Sequence, residues 1–212
     1  VAGGTDLVVG MRQGRGALPD DLVALHRIGE LRGIAAAGDG LRIGAGTSHA
    51  TIIADGRVTA RYAGLADASA IVGSHATRTT GTLGGNLANA SPAADTVAPL
   101  LCHDAVVVLR SAAGERRVPI GELVLGPRRT ALRADELIVA VELPATAPGS
   151  ASCYVRLEHR RQMEIAIVGA GALVTMRDGR IAAARVAMTA VAATVRRVPD
   201  AEAILTGSDG GR

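Results

Sequence analysis

The sequence predicts an α+β fold, and three observations carry that prediction. Helix-like and strand-like runs are mixed along the chain without the steady alternation that builds a parallel βαβ sheet. The C-terminal part reads as consecutive strands joined by tight turns, the pattern of an antiparallel sheet. The glycine pairs Gly44-Ala45-Gly46 and Gly169-Ala170-Gly171 lack the third glycine of a doubly wound nucleotide fold, and both lie inside strand-like stretches, where glycine serves close packing.

In chain order, Gly3-Gly4 is a turn, and the apolar run 7–11 after it is a short helix. Runs 22–25 and 41–45 are strands bounded by turn residues. Ser48 is placed to cap a helix through Asp55. Leu65, Ala68, Ile71 and Val72 make one face of a helix after Ala63. The stretch 81–86 is too rich in glycine for a regular element. Ser91-Pro92 reads as a helix start, serine at the N-cap and proline at the first helical position. Residues 105–109 form a buried strand, Gly114 marks a turn, a strand follows near Val118, and 137–143 is another that Pro144 ends. Residues 145–152, rich in small and turn-forming side chains, form a linker. Beyond it 153–158, 165–176 and 181–192 are three strands, with Asp178-Gly179 the tight turn between the last two, and a helix at 201–205 follows.

Composition narrows the function. Hydrophobic residues make up 48% of 212 residues, enough for one substantial domain or two small ones. Aromatic content is 1%, with no Phe or Trp, which weighs against single-stranded nucleic acids, whose bases stack on rings. All 23 basic residues are Arg, dispersed among 20 acids, so net charge is only +3 and the surface is mixed rather than a nucleic-acid patch. Absence of Lys excludes a Walker-type phosphate site and Schiff-base chemistry. Cys102 and Cys153 stand far apart, and the histidines at 26, 49, 75, 103 and 159 show no paired spacing, so no metal or disulfide framework is expected. No apolar run is long enough for a transmembrane segment and no signal peptide is visible, so a cytoplasmic location is expected, where the Asn89-Ala90-Ser91 sequon has no meaning. Val1 opens directly on a glycine motif and residues 209–212 close without an element, so the native chain is expected to extend both ways.

Two glycine motifs carry chemistry: Ala2-Gly3-Gly4-Thr5-Asp6-Leu7 and Thr82-Leu83-Gly84-Gly85-Asn86-Leu87. Consecutive glycines allow positive φ and let a ligand approach without meeting a Cβ. Successive N–H groups in such turns make an anion nest, which suits a dinucleotide pyrophosphate where no Lys can neutralise it. Thr5, Thr82 and Asn86 add directed hydrogen bonds. The alternative for each motif is an ordinary tight turn. The second runs on into Ala88-Asn89-Ala90-Ser91-Pro92-Ala93-Ala94-Asp95, which adds a helix N-terminus favourable to negative charge. Asp95 either complements that dipole or accepts hydrogen bonds from a ribose or ribityl hydroxyl.

Together these motifs resemble the FAD-binding medium subunit of the molybdenum hydroxylases, the family of carbon monoxide dehydrogenase, xanthine dehydrogenase and 4-hydroxybenzoyl-CoA reductase. The similarity continues through Leu132-Arg133-Ala134-Asp135-Glu136-Leu137-Ile138, through 156–168 with Tyr154 leading in, and through Glu202-Ala203-Ile204-Leu205-Thr206-Gly207. It implies an FAD-binding domain of two α+β lobes at 1–146, without its N-terminal element, and a truncated C-terminal domain at 151–212 with a three-stranded antiparallel sheet. It also implies a site. Val1, Ala2, Gly3, Gly4, Thr5, Asp6 and Leu7, with Thr82, Gly84, Gly85 and Asn86, would hold the FAD pyrophosphate. Asn89, Ser91 and Asp95 would contact the diphosphate–ribityl region, Ile138 the flavin or adenine, and Arg156 the isoalloxazine. Arg156 stands where several relatives have Lys, which keeps the charge but changes its reach.

The function implied is electron transfer. Electrons from the iron–sulfur small subunit, fed by a molybdopterin large subunit, would pass through FAD to NAD, a quinone or dioxygen. Two other readings stay open: a free-standing flavin oxidoreductase using His75 or Tyr154 on its own substrate, and a non-catalytic interaction domain whose glycine loops are turns.

Overall fold

The computed structural model describes residues 1–14, 19–160 and 163–211. Helix α1 (Leu7–Arg12) leaves the first glycine loop. The run 22–25 is not a strand: it is extended chain entering a 3-10 turn at Leu25–Arg27, and Val23 is 72% exposed. Two bonds tie it to the first loop, from Leu25 N to Val1 O at 2.8 Å and from the Val1 amine to Val23 O, with no ladder to continue them. Strands β1 (Ile34–Ala37) and β2 (Gly40–Gly44) form a hairpin. The alanine-rich β1 carries little strand propensity and is invisible in the sequence pattern.

Four short helices follow: α2 (His49–Ala54), α3 (Gly56–Arg61), α4 (Ala63–Ala70) and α5 (His75–Thr80). Ser48 caps α2 by accepting from Thr51 N at 3.2 Å, as expected, and Asp55 ends it because its carboxylate caps α3. Helix α6 (Leu83–Asn89) occupies the stretch expected to be irregular. Thr82 caps it, and glycine is required at position 84, where a Cβ would lie 2.6 Å from that of Ala45. Conversely, no helix starts at Ser91-Pro92. Ala90 ends α6 in the left-handed conformation (φ 48°), residues 91–96 are turn-like, and α7 (Val97–Cys102) begins later. Tertiary bonds override the helix signal there, since Pro92 O accepts from Ala190 N at 2.9 Å.

Strands β3 (Val106–Ser111) and β4 (Gly114–Pro119), helix α8 (Ile120–Leu123), a small β5 (Val124–Gly126) and β6 (Arg129–Thr130) pair, and β7 (Leu137–Leu143) complete the N-terminal part. Its sheet is antiparallel in the order β1-β2-β7-β3-β4. Leu41, Ile43, Val107, Leu109 and Val141 of this sheet and Ile52, Leu65, Leu83, Leu87 and Leu100 of the helices form the main core, all fully buried. Aliphatic side chains thus do the packing that rings do elsewhere.

Beyond residues 144–149, β8 (Ser150–Leu157), β9 (Val168–Arg177) and β10 (Arg180–Thr189) make long antiparallel pairs. Asp178 and Gly179, at φ 51° and 74°, turn the chain between the last two. The sheet has four strands, not three. The fourth, β11 (Arg196–Arg197), adds only two residues to β10, too few for periodicity to reveal. Helix α9 (Pro199–Leu205) follows, and Glu202 fastens it by accepting from Val186 N at 2.9 Å. Helices α4 and α7 pack on this second sheet through Ala68, Ala98, Cys102, Tyr154 and Ala187. Gly171 is a close-packing glycine, because a Cβ there would lie 3.1 Å from the backbone of Ala98 and Pro99. No helix among the described residues is long and apolar enough to cross a membrane.

Candidate functional site

The first glycine loop is shaped by contact. A Cβ on Gly3 would lie 2.1 Å from the carbonyl oxygen of Thr80, and Gly4 has φ 68°. Position 3 therefore needs glycine for close approach and position 4 for its backbone conformation. Among the described residues, the N–H groups of Ala2, Gly3, Gly4, Thr5, Asp6 and Leu7 donate to no protein acceptor. These are open donors on a half-buried loop, the condition for holding an anion.

The second motif differs from the expected nest. Leu83 N donates to Thr47 O (3.0 Å), Gly84 N to Ala45 O (2.8 Å), Gly85 N to the Thr82 hydroxyl (3.1 Å) and Asn86 N to Thr82 O (2.9 Å). Its donors are satisfied within the protein because the motif is a capped helix rather than a turn. What it contributes is a bare backbone surface: around a Cβ on Gly85, only the Thr82 hydroxyl lies within 4 Å, at 3.0 Å.

The two motifs meet across a cavity of about 650 Å³, within the range of roughly 300–1,000 Å³ usual for small-molecule sites. Of the expected residues, Ala2, Gly3, Thr82, Gly84, Gly85 and Ile138 line it. Val1, Gly4, Thr5, Asp6 and Leu7 belong to the same loop but are not among the residues that line the cavity. The structure adds lining residues that the sequence reading did not place in the site: Thr47, Ser48, Thr51 and Glu136. The first three follow Gly44-Ala45-Gly46 where β2 turns into α2, so the signal was a polar cap after a strand. Glu136 is not a free base. Arg116 grips both of its oxygens (2.6 and 2.8 Å) and Arg133 N donates to it, which holds its pKa down at about 2.

The other expected residues lie along α6 and beyond it. Asn86 accepts from the Thr96 hydroxyl at 2.7 Å, leaving its amide N–H₂ available, and Asn89 and Ser91 are half-buried at the end of α6. Asp95 and Arg156 meet at the junction of the two sheets, 2.9 Å apart, with side chains 9% and 2% exposed. The Tyr154 hydroxyl donates to the second Asp95 oxygen at 2.7 Å, and Arg156 Nε donates to Glu158 at 2.8 Å. Burial pushes the Asp95 carboxyl up, against the pull of the Tyr154 hydroxyl and Arg156. Neither side chain of the free-standing enzyme reading lines the cavity: His75 is exposed on α5, and Tyr154 is buried against Asp95.

Residues 1–146 match the family described as the FAD binding domain in molybdopterin dehydrogenase, and residues 153–210 match the CO dehydrogenase flavoprotein C-terminal domain. This chain belongs to that flavoprotein family. The carbon monoxide dehydrogenase medium chain of Hydrogenophaga pseudoflava is 34% identical over 197 residues, covering 93% of this chain and 68% of its own length. A xanthine dehydrogenase FAD-binding subunit of Escherichia coli O157:H7 is 31% identical over 204 residues, covering 95% of this chain and 70% of its own. The reconstituted CO dehydrogenase from Oligotropha carboxidovorans superposes with a TM-score of 0.93 at 31% identity, over 98% of this chain and 72% of that one. The chain is thus of the medium, FAD-binding type found in molybdenum hydroxylases, and its cofactor is FAD. The residues present suit that group. The first loop offers unpaired donors for a pyrophosphate, and a Cβ on Gly85 would project into the space beside it.

Proposed function

We propose that this flavoprotein is a cytoplasmic electron relay, taking electrons from the iron–sulfur clusters of a partner subunit and passing them to NAD, a quinone or dioxygen. The observation that carries the proposal is the convergence of two glycine motifs, far apart in sequence, on one cavity. FAD supplies the redox chemistry when bound; the protein supplies binding, orientation and electrostatics. The N–H groups of residues 2–7 hold the pyrophosphate, with Val1 anchoring the loop through its carbonyl. Thr82, Gly84 and Gly85 form the opposite wall, and the Thr82, Ser48 and Thr51 hydroxyls provide neutral donors where no Lys is available. Asn86, Asn89, Ser91 and Asp95 would contact the diphosphate–ribityl region, Ile138 would pack near the flavin or adenine, and Arg156, held between Asp95 and Glu158, would lie close to the isoalloxazine. The domains so used are 1–146 and 151–212. Two free cysteines, one buried and one exposed, suit a reducing compartment.

The test is reconstitution. The full subunit should purify with FAD that acid precipitation releases entirely into the supernatant. Alone it should leave its flavin oxidised when offered hydroxylase substrates; with its iron–sulfur and molybdenum partners the same substrates should reduce it. FMN binding as tightly as FAD would refute the pyrophosphate assignment. Substrate-dependent bleaching of the isolated subunit would refute the relay.

A further inference from the structure

The chain has only two aromatic side chains of the Phe, Trp or Tyr kind, both buried tyrosines: Tyr62 in the main core and Tyr154 on the C-terminal sheet. Tyr62 donates its hydroxyl to Pro144 O at 2.8 Å, a backbone pin at the connection between the sheets. Tyr154 instead donates to a buried carboxylate. Its hydroxyl lies 2.7 Å from Asp95 Oδ1 and 3.1 Å from the Thr189 hydroxyl. Gly169 makes room for it, since a Cβ there would lie 1.9 Å from the phenolic oxygen. The other Asp95 oxygen accepts from Arg156. Both donors to Asp95 therefore come from β8, and neither from its own half of the molecule. Ala190 N adds a third tie from the same sheet, to Pro92 O. The segment 91–95 continues directly from α6, whose first turn lines the cavity.

We propose that Tyr154 is a positioning residue for cofactor binding: its hydroxyl holds the Asp95 carboxyl in place, so that the C-terminal sheet completes a site built mainly by the other domain. The inference rests on the FAD site proposed above. A buried carboxylate without donors protonates or turns away, because burial without compensating bonds disfavours the charged form. The charged and titratable groups facing Asp95 are Tyr154, Arg156 and Glu158, all on β8 or directly after it; Thr189 on β10 and Thr96 before α7 bring only hydroxyls to the region. Losing the tyrosine hydroxyl leaves Arg156 alone to hold the charge, so protonation of Asp95 moves to higher pH.

The experiment compares Tyr154→Phe with Tyr62→Phe in the full subunit stripped of flavin. Each loses one buried hydroxyl and keeps its ring. FAD dissociation constants are measured by fluorescence quenching from acid to alkaline pH, and melting temperatures in parallel. Tyr154→Phe should bind FAD about 10-fold more weakly at neutral pH, the loss expected for one hydrogen bond to a charged group. The acid limb of its binding curve should also move to higher pH. Tyr62→Phe should melt lower and keep both the wild-type affinity and the wild-type limb. Asp95→Asn, which keeps the shape and removes the charge, should abolish the limb, and carries the test should Tyr154→Phe not fold. Equal FAD behaviour in the two tyrosine variants, or an acid limb that persists in Asp95→Asn, would overturn the proposal. Wild-type protein that takes up no FAD at any pH would overturn the site itself, a result separate from either of these.

Discussion

Replacing Gly85 by alanine places a methyl group in the cavity while leaving the supports of α6 in place. Gly85 has helical backbone geometry, so alanine recovers about 1 kcal/mol of helix propensity. Against that gain, the new Cβ sits 3.0 Å from the Thr82 hydroxyl, and loosening that cap costs about 1 kcal/mol. The two contributions nearly cancel, so stability should stay within about 1 kcal/mol of wild type. Cofactor binding should not. A methyl inserted where a ligand meets bare backbone costs about 1–3 kcal/mol of overpacking, a roughly 5- to 150-fold weaker FAD affinity. Gly84→Ala is the counterpart. Its Cβ meets Ala45 Cβ at 2.6 Å and Ala45 O at 2.8 Å, neither of which can swing aside. The same overpacking then falls on the fold, lowering the melting temperature by about 2–10 °C. FAD titration of the apoproteins and calorimetry of each variant separate the two effects. Wild-type FAD affinity in Gly85→Ala, or a loss of affinity matched by an equal loss of stability, would refute the view that α6 presents this backbone to the cofactor.

Other perturbations probe the surroundings. Asp95→Ala leaves the Arg156 guanidinium buried beside Glu158 alone and should cost about 3–5 kcal/mol in urea unfolding; a cost below about 1 kcal/mol would mean that the pair does not clamp the junction. Glu136, whose pKa is lowered by Arg116, contributes stability above its unfolded value of about 4.3 and loses it as pH falls toward about 2. Glu136→Gln should therefore have a lower urea midpoint than wild type at pH 7, with the gap closing in acid; a gap independent of pH would contradict the ion pair. Gly179→Val, at φ 74° in a turn remote from the cavity, should cost about 1–2 kcal/mol yet keep stoichiometric FAD in the folded fraction. Iodoacetamide should label Cys153 alone in the native state, since burial pushes the Cys102 thiol up to about 12; mass spectrometry showing both labelled would indicate an open junction.

What the sequence determined by itself was set by local chemistry. Ser48 caps a helix, 137–143 forms a strand, and Asp178-Gly179 turns a hairpin because capping, alternation and left-handed turn residues act over a few positions. The glycine motifs likewise marked two walls of the cavity, since a missing Cβ is a property of the residue itself. Tertiary structure decided the rest. Gly84-Gly85 became helix because the Ala45 and Thr47 carbonyls, distant in sequence, accept its first N–H groups. Ser91-Pro92, with good local signals for a helix start, became a turn because Ala190 N and the Tyr154–Asp95–Arg156 bonds draw it toward the second sheet. The fourth strand exists only as two residues paired to β10. The open donors of the first loop and the tied ones of the second could not be told apart from sequence, because each motif carries the same N–H groups and only the fold supplies, or withholds, their acceptors.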